Sequence, residues 1–239
     1  MKKITGLVSS EESMGLVDGP GIRYVVFLQG CKLRCKYCHN PETWDLKGRA
    51  EEISAEKLVE KICRYKSYFG EDGGVTFSGG EPLLQPEFLI ECLKLCKKNS
   101  IHTALDTAGV GFGEYEEILK YTDLVILDIK AVDEEEYKEL TGQSMERFKK
   151  FLTDCQNLNK KLWLRQVIVP SVNDDFAHAQ LLKDFAKNLK NIEKIELLPY
   201  KTIGSYKYKE LGLIDRLAGT AEMDEEKCRQ IENYIKDFN

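Results

Sequence analysis

Three cysteines stand close together in the run Gly30-Cys31-Lys32-Leu33-Arg34-Cys35-Lys36-Tyr37-Cys38-His39-Asn40. The spacing C-x-x-x-C-x-x-C is compact enough to wrap three thiolates around one metal centre. Two metal readings compete. Structural zinc takes four ligands, and His39 would be the fourth. Adjacent Cys38 and His39 have difficulty facing one ion, however, and zinc sites usually draw on two separated pairs. The other reading is a four-iron cluster held by three protein thiolates, which leaves one iron with an open coordination position. Electron-transfer clusters use four cysteines, so a triplet without a nearby fourth points to chemistry at the iron. The next cysteine, Cys63, falls in a stretch of helical period.

These residues need elements to position them. The 239-residue chain alternates short β-branched or apolar runs with longer segments of helical periodicity from residue 22 onward. Strands are expected at Ile22 to Leu28, Val75 to Phe77, Thr103 to Leu105, Leu124 to Ile129, Leu162 to Val169 and Ile192 to Leu198. Helices are expected over 55–68, 87–99, 114–121, 134–158 with a break near Gly142, 175–189 and 224–237. Ser54 suits an N-cap, Pro86 a first helical turn, and the acidic run Asp133 to Glu136 a solvated helix start. Six such βα units imply a parallel sheet with helical crossovers, either an open doubly wound sheet or an incomplete barrel. In both, ligands gather at the carboxyl ends of the strands. That rim holds Gln29 to Cys38, Ser78 to Glu81, Asp106 to Gly109, Asp128 to Lys130, Pro170 and Pro199 to Gly204.

Composition narrows the partners. A net charge of −5 provides no global field for nucleic acid or anionic lipid, although Lys32, Arg34 and Lys36 form a local basic patch. No apolar run approaches the roughly 20 residues that span a bilayer, and no export signal is legible, so a cytoplasmic protein is expected. Eight cysteines in that setting argue for reduced thiols or a metal site over disulfides. Cys92 and Cys96 share a helix face; a metal pair is conceivable, and small buried side chains are the commoner reason.

The triplet with an aromatic residue before its last cysteine resembles the signature of the radical S-adenosylmethionine (SAM) superfamily. Within it the chain is similar to the family of activating enzymes that act on pyruvate formate-lyase. The matching segments are Val17-Asp18-Gly19-Pro20-Gly21-Ile22-Arg23, Gln29-Gly30-Cys31, Tyr37-Cys38-His39-Asn40, Ser78-Gly79-Gly80-Glu81-Pro82, Leu105-Asp106-Thr107, Leu127-Asp128-Ile129-Lys130 and Glu196-Leu197-Leu198-Pro199-Tyr200. They run through nearly the whole chain. The resemblance implies a single-domain α/β fold over 1–239, a partial (β/α)6 TIM-like barrel. It also implies a [4Fe-4S] cluster on Cys31, Cys35 and Cys38 whose open iron is chelated by SAM. Reductive cleavage then gives methionine and a 5′-deoxyadenosyl radical, which takes a hydrogen atom from a glycine of the partner enzyme.

Further site residues follow from the same resemblance. Gly79 and Gly80 would let backbone approach the methionyl amino group, with Glu81 adding negative charge; a bare Gly-Gly also reads as a tight turn. Lys130, beside Ile129, would pair with the cofactor carboxylate. Tyr37 and His39 would help hold the adenine. Asp106, Thr107 and Asp128, joined by the carbonyl of Ile126, would bind a monovalent cation, Na+ or K+; buried carboxylates paired with Lys130 are the structural alternative. Arg165 is expected to face the barrel interior and meet anionic groups of cofactor or partner. Family members often carry histidine after the Pro-Tyr of the sixth strand, where this chain has Lys201, which can donate to a ribose hydroxyl but cannot stack or accept as imidazole does.

Three activities remain open on the residues: activation of a glycyl-radical enzyme, radical chemistry on a small molecule, and a zinc-stabilised interaction module. Between His39 and Ser78 only Cys63 interrupts the absence of further cysteines, which favours the pyruvate formate-lyase branch over activators with extra ferredoxin-like clusters. The expected partners are pyruvate formate-lyase, presenting its glycine loop, and a reduced flavodoxin or ferredoxin as electron donor.

Overall fold

The computed structural model describes residues 3–48 and 50–237, so residues 1, 2, 49, 238 and 239 of the expected domain lie outside the described residues. In chain order the strands are β1 (Thr5–Gly15), β2 (Arg23–Leu28), β3 (Glu51–Ser54), β4 (Gly74–Gly79), β5 (His102–Thr107), β6 (Leu124–Asp128), β7 (Lys161–Ile168) and β8 (Ile192–Pro199). The helices are α1 (Ala55–Cys63), α2 (Pro86–Lys98), α3 (Glu116–Lys120), α4 (Glu134–Thr141), α5 (Glu146–Asn157), α6 (Phe176–Lys187), α7 (Ser205–Glu210) and α8 (Glu225–Lys236).

All six expected strands are present as β2 and β4 to β8, mutually parallel, in one eight-stranded sheet ordered β3-β1-β2-β4-β5-β6-β7-β8. The parallel strands follow one another without reversal. Successive right-handed crossovers then put their helices on one side, which excludes the doubly wound alternative. Burial agrees: Leu105, Val125, Leu127 and Leu164 join the helices in the main core, while the opposite face holds only a small cluster of Ala104, Leu124 and Ile126 against Trp163.

The sheet also curls. His39, after β2, has its Nε2 2.8 Å from the carbonyl oxygen of Lys201, after β8. Tyr208 of α7 donates to the Cys38 carbonyl at 2.9 Å. The carboxyl ends of the first and last parallel strands therefore meet, yet no ladder joins β8 to β2 among the described residues. This is a partial barrel.

Two strands and one helix were not anticipated. β1 is a polar, half-exposed strand with irregular register against β2, and β3 is a four-residue edge strand, so neither carries clean alternation. Eleven of the twelve ends of the expected helical segments fall within two residues of those observed, but the 55–68 segment stops at Cys63 and resumes only as a 3-10 turn at Lys66–Tyr68. Ser54 accepts from the Lys57 amide, Pro86 opens α2, and Asp133 accepts from the amides of Glu135 and Glu136. Gly142 ends α4 with φ of 74°, the left-handed cap that separates it from α5. Cys92 and Cys96 are wholly buried in the core.

Candidate functional site

The cysteine loop leaves β2 at Leu28 and is pinned on three sides. The Gly30 amide donates to the Thr43 carbonyl at 2.9 Å, and the Glu81 amide donates to the Gly30 carbonyl at 2.8 Å. The amides of Arg34 and Lys36 donate to the carbonyls of Thr141 and Leu140, at the end of α4, at 2.8 and 2.9 Å. Leu33 and Tyr37 are buried beneath the loop as its hydrophobic anchors.

Gly79 and Gly80 have a steric role besides the expected one. A Cβ on Gly79, whose φ is +113°, would strike the backbone of Leu28, and one on Gly80 would strike the carbonyl of Gly30. Their smallness lets the end of β4 lie directly against the cysteine loop. Both still line the cavity that opens there.

That cavity, of about 190 Å³, is bounded by Cys31, Cys35 and Cys38, by Gly79 and Gly80, and by Asp106, Thr107, Asp128 and Lys130 from the ends of β5 and β6. Tyr37 and His39 also line it. All three thiols are free, Cys31 and Cys35 buried and Cys38 half-buried. Burial pushes the Cys35 thiol up to about 11, with Lys130 opposing, and raises Cys31 and Cys38 as well. Iron would have to displace these protons to bind. Among the described residues no three His, Cys, Asp or Glu side chains converge on one ion-sized point. Three thiols spread around one cavity fit a cluster, in which each thiolate takes a different iron.

Charge across the cavity is balanced by pairs. Lys130 Nζ lies 2.6 Å from Asp128 Oδ2 and 5.6 Å from the centre of the Tyr37 ring. Burial works against the Lys130 charge, but Asp128, Tyr37 and Cys35 outweigh it and hold the ammonium charged. Asp106 accepts from the Ser78 hydroxyl at 2.7 Å and faces Arg165 at 3.8 Å; burial nevertheless raises its carboxyl. Two polar atoms are left over. Asp128 Oδ1 and the Tyr37 hydroxyl are buried with no partner, an open demand that a polar ligand would meet.

The side chains of five expected residues have partners of their own. Glu81 is fully buried and lies outside the cavity lining; its carboxyl accepts from the Thr107 hydroxyl at 2.5 Å and from the amides of Leu83, Ala108 and Val110 at 3.1, 3.0 and 3.4 Å. It braces the β4 end against the β5 end. Lys201 turns its side chain outward to Glu225 at 2.7 Å, and only its carbonyl faces His39. The side chain of Ile129 is packed in the core, and that of Ile126 in the small interior cluster. Arg165 does face the interior, but its guanidinium is engaged by Glu196 at 3.0 Å and by the Val17 carbonyl at 2.8 Å.

The last contact accounts for part of the Val17 to Arg23 segment. The Asp18 carbonyl accepts from the Thr76 hydroxyl at 2.6 Å, and Thr76 in turn accepts from Arg23 Nε at 3.0 Å. Arg23 is wholly buried. The β1–β2 connection is thus drawn against the concave face of the sheet. Ser78, Trp44, Thr43, Asn40 and Val167 line the cavity as well. Trp44 and Val167 carry no motif, and only the end of their strand or loop could have marked them.

Residues 25–182 match the family model described as Radical SAM superfamily. The pyruvate formate-lyase-activating enzyme of Clostridium pasteurianum is 55% identical over 98% of this chain and 99% of its own length. That of Streptococcus mutans is 42% identical, covering 98% and 92%. Among solved structures, a domain of a pyruvate-formate lyase-activating enzyme from Bacteroides vulgatus superposes with a TM-score of 0.57 at 29% identity, over 69% of this chain and 94% of that one.

Proposed function

The chain belongs to the radical SAM superfamily and, within it, to the pyruvate formate-lyase-activating enzymes, and from that premise we propose how its residues carry out the activation. A bound [4Fe-4S] cluster and SAM supply the reductive cleavage to methionine and a 5′-deoxyadenosyl radical, which takes a hydrogen atom from a glycine of pyruvate formate-lyase. The protein's work is binding, orientation and exclusion of water.

Cys31, Cys35 and Cys38 would hold the cluster, each giving up its thiol proton. Gly79 and Gly80 let the β4 end lie against the loop and leave bare backbone at the cavity wall. Lys130 presents its ammonium to the carboxylate of SAM, held there by Asp128 and backed by the Tyr37 face. Asp128 Oδ1 and the Tyr37 hydroxyl are the free polar atoms available to the amino and ribose groups. His39, fixed to the Lys201 carbonyl, would help hold the adenine. A monovalent cation at Asp106, Thr107, Asp128 and the Ile126 carbonyl belongs to the same reading, with Arg165 and Lys130 already supplying part of the compensating charge.

The whole of 1–239 is read as one catalytic domain, supported by the single continuous sheet. No helix of the described residues is long and apolar enough to cross a membrane, and the eight cysteines suit a cytoplasmic location. The electron comes from a reduced flavodoxin or ferredoxin.

One observation carries this reading: three free thiols share a cavity with the ends of β4, β5 and β6. The test is anaerobic reconstitution with iron and sulfide, followed by SAM, reductant and pyruvate formate-lyase. A glycine-centred paramagnetic doublet and 5′-deoxyadenosine are expected, and Cys35→Ala should abolish both. Full radical yield from that variant would refute the assignment.

A further inference from the structure

Cys31 and Trp44 line two cavities. Besides bounding the inner cavity they form the floor of an outer groove of about 760 Å³ on the far side of the cysteine loop. Cys31 is the cysteine of the trio that borders both of these cavities, and Cys38 borders a third, smaller opening with His39 and Tyr208. The groove has exposed apolar side chains, Leu46, Leu211 and Leu213, and a basic margin of Lys32, Arg34 and Lys47. An apolar centre with a charged rim is the usual anatomy of a transient protein contact.

Among the described residues the basic margin is not spent on ion pairs. Lys32 lies over the Phe112 ring at 4.7 Å and Arg34 over the Trp44 ring at 4.9 Å. Arg34 Nη1 also donates to the Cys31 carbonyl at 2.7 Å, which fixes the guanidinium beside the floor. Of the two carboxylates in the lining, Glu42 is neutralised by Lys207 at 2.5 Å, and Asp45 accepts from the Lys47 amide at 2.9 Å. A local positive excess therefore stands out on a chain of net charge −5.

We propose that this groove is the docking surface for a small, acidic electron-carrying protein, which passes one electron to the metal centre across Cys31 and Trp44. The inference rests on the functional reading above, because reductive cleavage consumes an electron that must enter from outside. The donor is oxidised by one electron and the cluster's total charge falls by one; no bond is made or broken. Charge complementarity selects an acidic partner and quickens encounter. The apolar floor brings the partner's redox group close.

The probe is flavodoxin, used with reconstituted holoenzyme and its Lys32→Glu/Lys47→Glu variant. Calorimetry reads the affinity of oxidised flavodoxin at low and high salt, and cluster absorbance reads the rate of reduction by reduced flavodoxin or by dithionite. The variant should lose about tenfold in affinity and in rate with flavodoxin, with a flattened salt dependence and an unchanged rate with dithionite. Unchanged flavodoxin affinity and rate would overturn the proposal. Equal losses with dithionite would overturn it too, since the lysines would then be acting through the cluster. Weaker binding of pyruvate formate-lyase in place of flavodoxin would assign the surface to the protein substrate and also overturn it. Should the double variant load little iron, Lys47→Glu alone, at an exposed loop position, makes the same test. A wild-type cluster that dithionite reduces but that cleaves no SAM would defeat the functional reading instead, and flavodoxin affinity would still decide the groove.

Discussion

Lys130 Nζ is 2.6 Å from one oxygen of Asp128, while the other oxygen of Asp128 is buried with no partner. Both residues close the end of β6, and the pair is largely withdrawn from solvent. Removing one member of such a pair strands the other charge, whereas removing both need not. Lys130→Met should cost about 3 kcal/mol of stability, and Asp128→Asn/Lys130→Met should recover most of it. Urea unfolding of the metal-free chain reads both. A double variant no more stable than the single one would show that the two residues are not coupled.

Glu81 ties two strand ends together through one hydroxyl and three amides. Glu81→Gln keeps the shape but turns one acceptor into a donor that faces those amides. The loss should be about 2 kcal/mol, the scale of a hydrogen bond to a charged group with a buried donor left over. Thermal unfolding is the measurement, and a shift no larger than that of an exposed Glu→Gln control would remove the brace from the account.

A methyl group at Gly80 meets the Gly30 carbonyl, which belongs to the loop that carries the cysteines. Gly80→Ala should therefore lower both the unfolding temperature and the iron retained after reconstitution. An alanine variant with full iron content would mean that the loop can shift without disturbing its thiols.

On the far side of α4, burial pushes the Glu136 carboxyl up to about 7, with Asp133, Glu139 and Asp175 adding to it. His178 Nδ1 faces it at 3.6 Å, but burial lowers the imidazole's own affinity for a proton, with Asp175 opposing. The folded state thus holds a proton on Glu136 that the unfolded chain releases near 4.5. Folding is favoured while that proton stays on, so stability should decline from about pH 4.5 to pH 7 and the cost should be complete above pH 7. Glu136→Gln lacks this decline. Its stability relative to wild type should rise between pH 5 and pH 8 in denaturant melts, and a pH-independent difference would contradict the assignment.

The parallel strands and the rim were legible because strands buried by helices are short apolar runs, and the polar and glycine residues that follow them mark their ends. Cys31, Cys35, Cys38, Gly79, Asp106 and Lys130 meet for that reason. β1 was hidden by its half-exposed polar sequence. The roles of Glu81, Lys201 and Arg165 were illegible for a different cause. Each sits at the expected level of the fold, but its partner, Thr107, Glu225 or Val17, comes from a distant part of the chain. Position along a strand says which rim a residue occupies and says nothing of which neighbour claims its charge.

The junction between the loops after β2 and β8 rests on side-chain fasteners, His39 to Lys201, Tyr208 to Cys38 and Trp44, and Lys207 to Asn40 and Glu42, with no ladder beneath them among the described residues. A zip made of side-chain contacts can part while every strand pairing stays intact. Entry of a foreign polypeptide segment edgewise would then cost those side-chain contacts and no strand pairing, and the sulfur-bearing turn on one flap would stay anchored to α4 throughout.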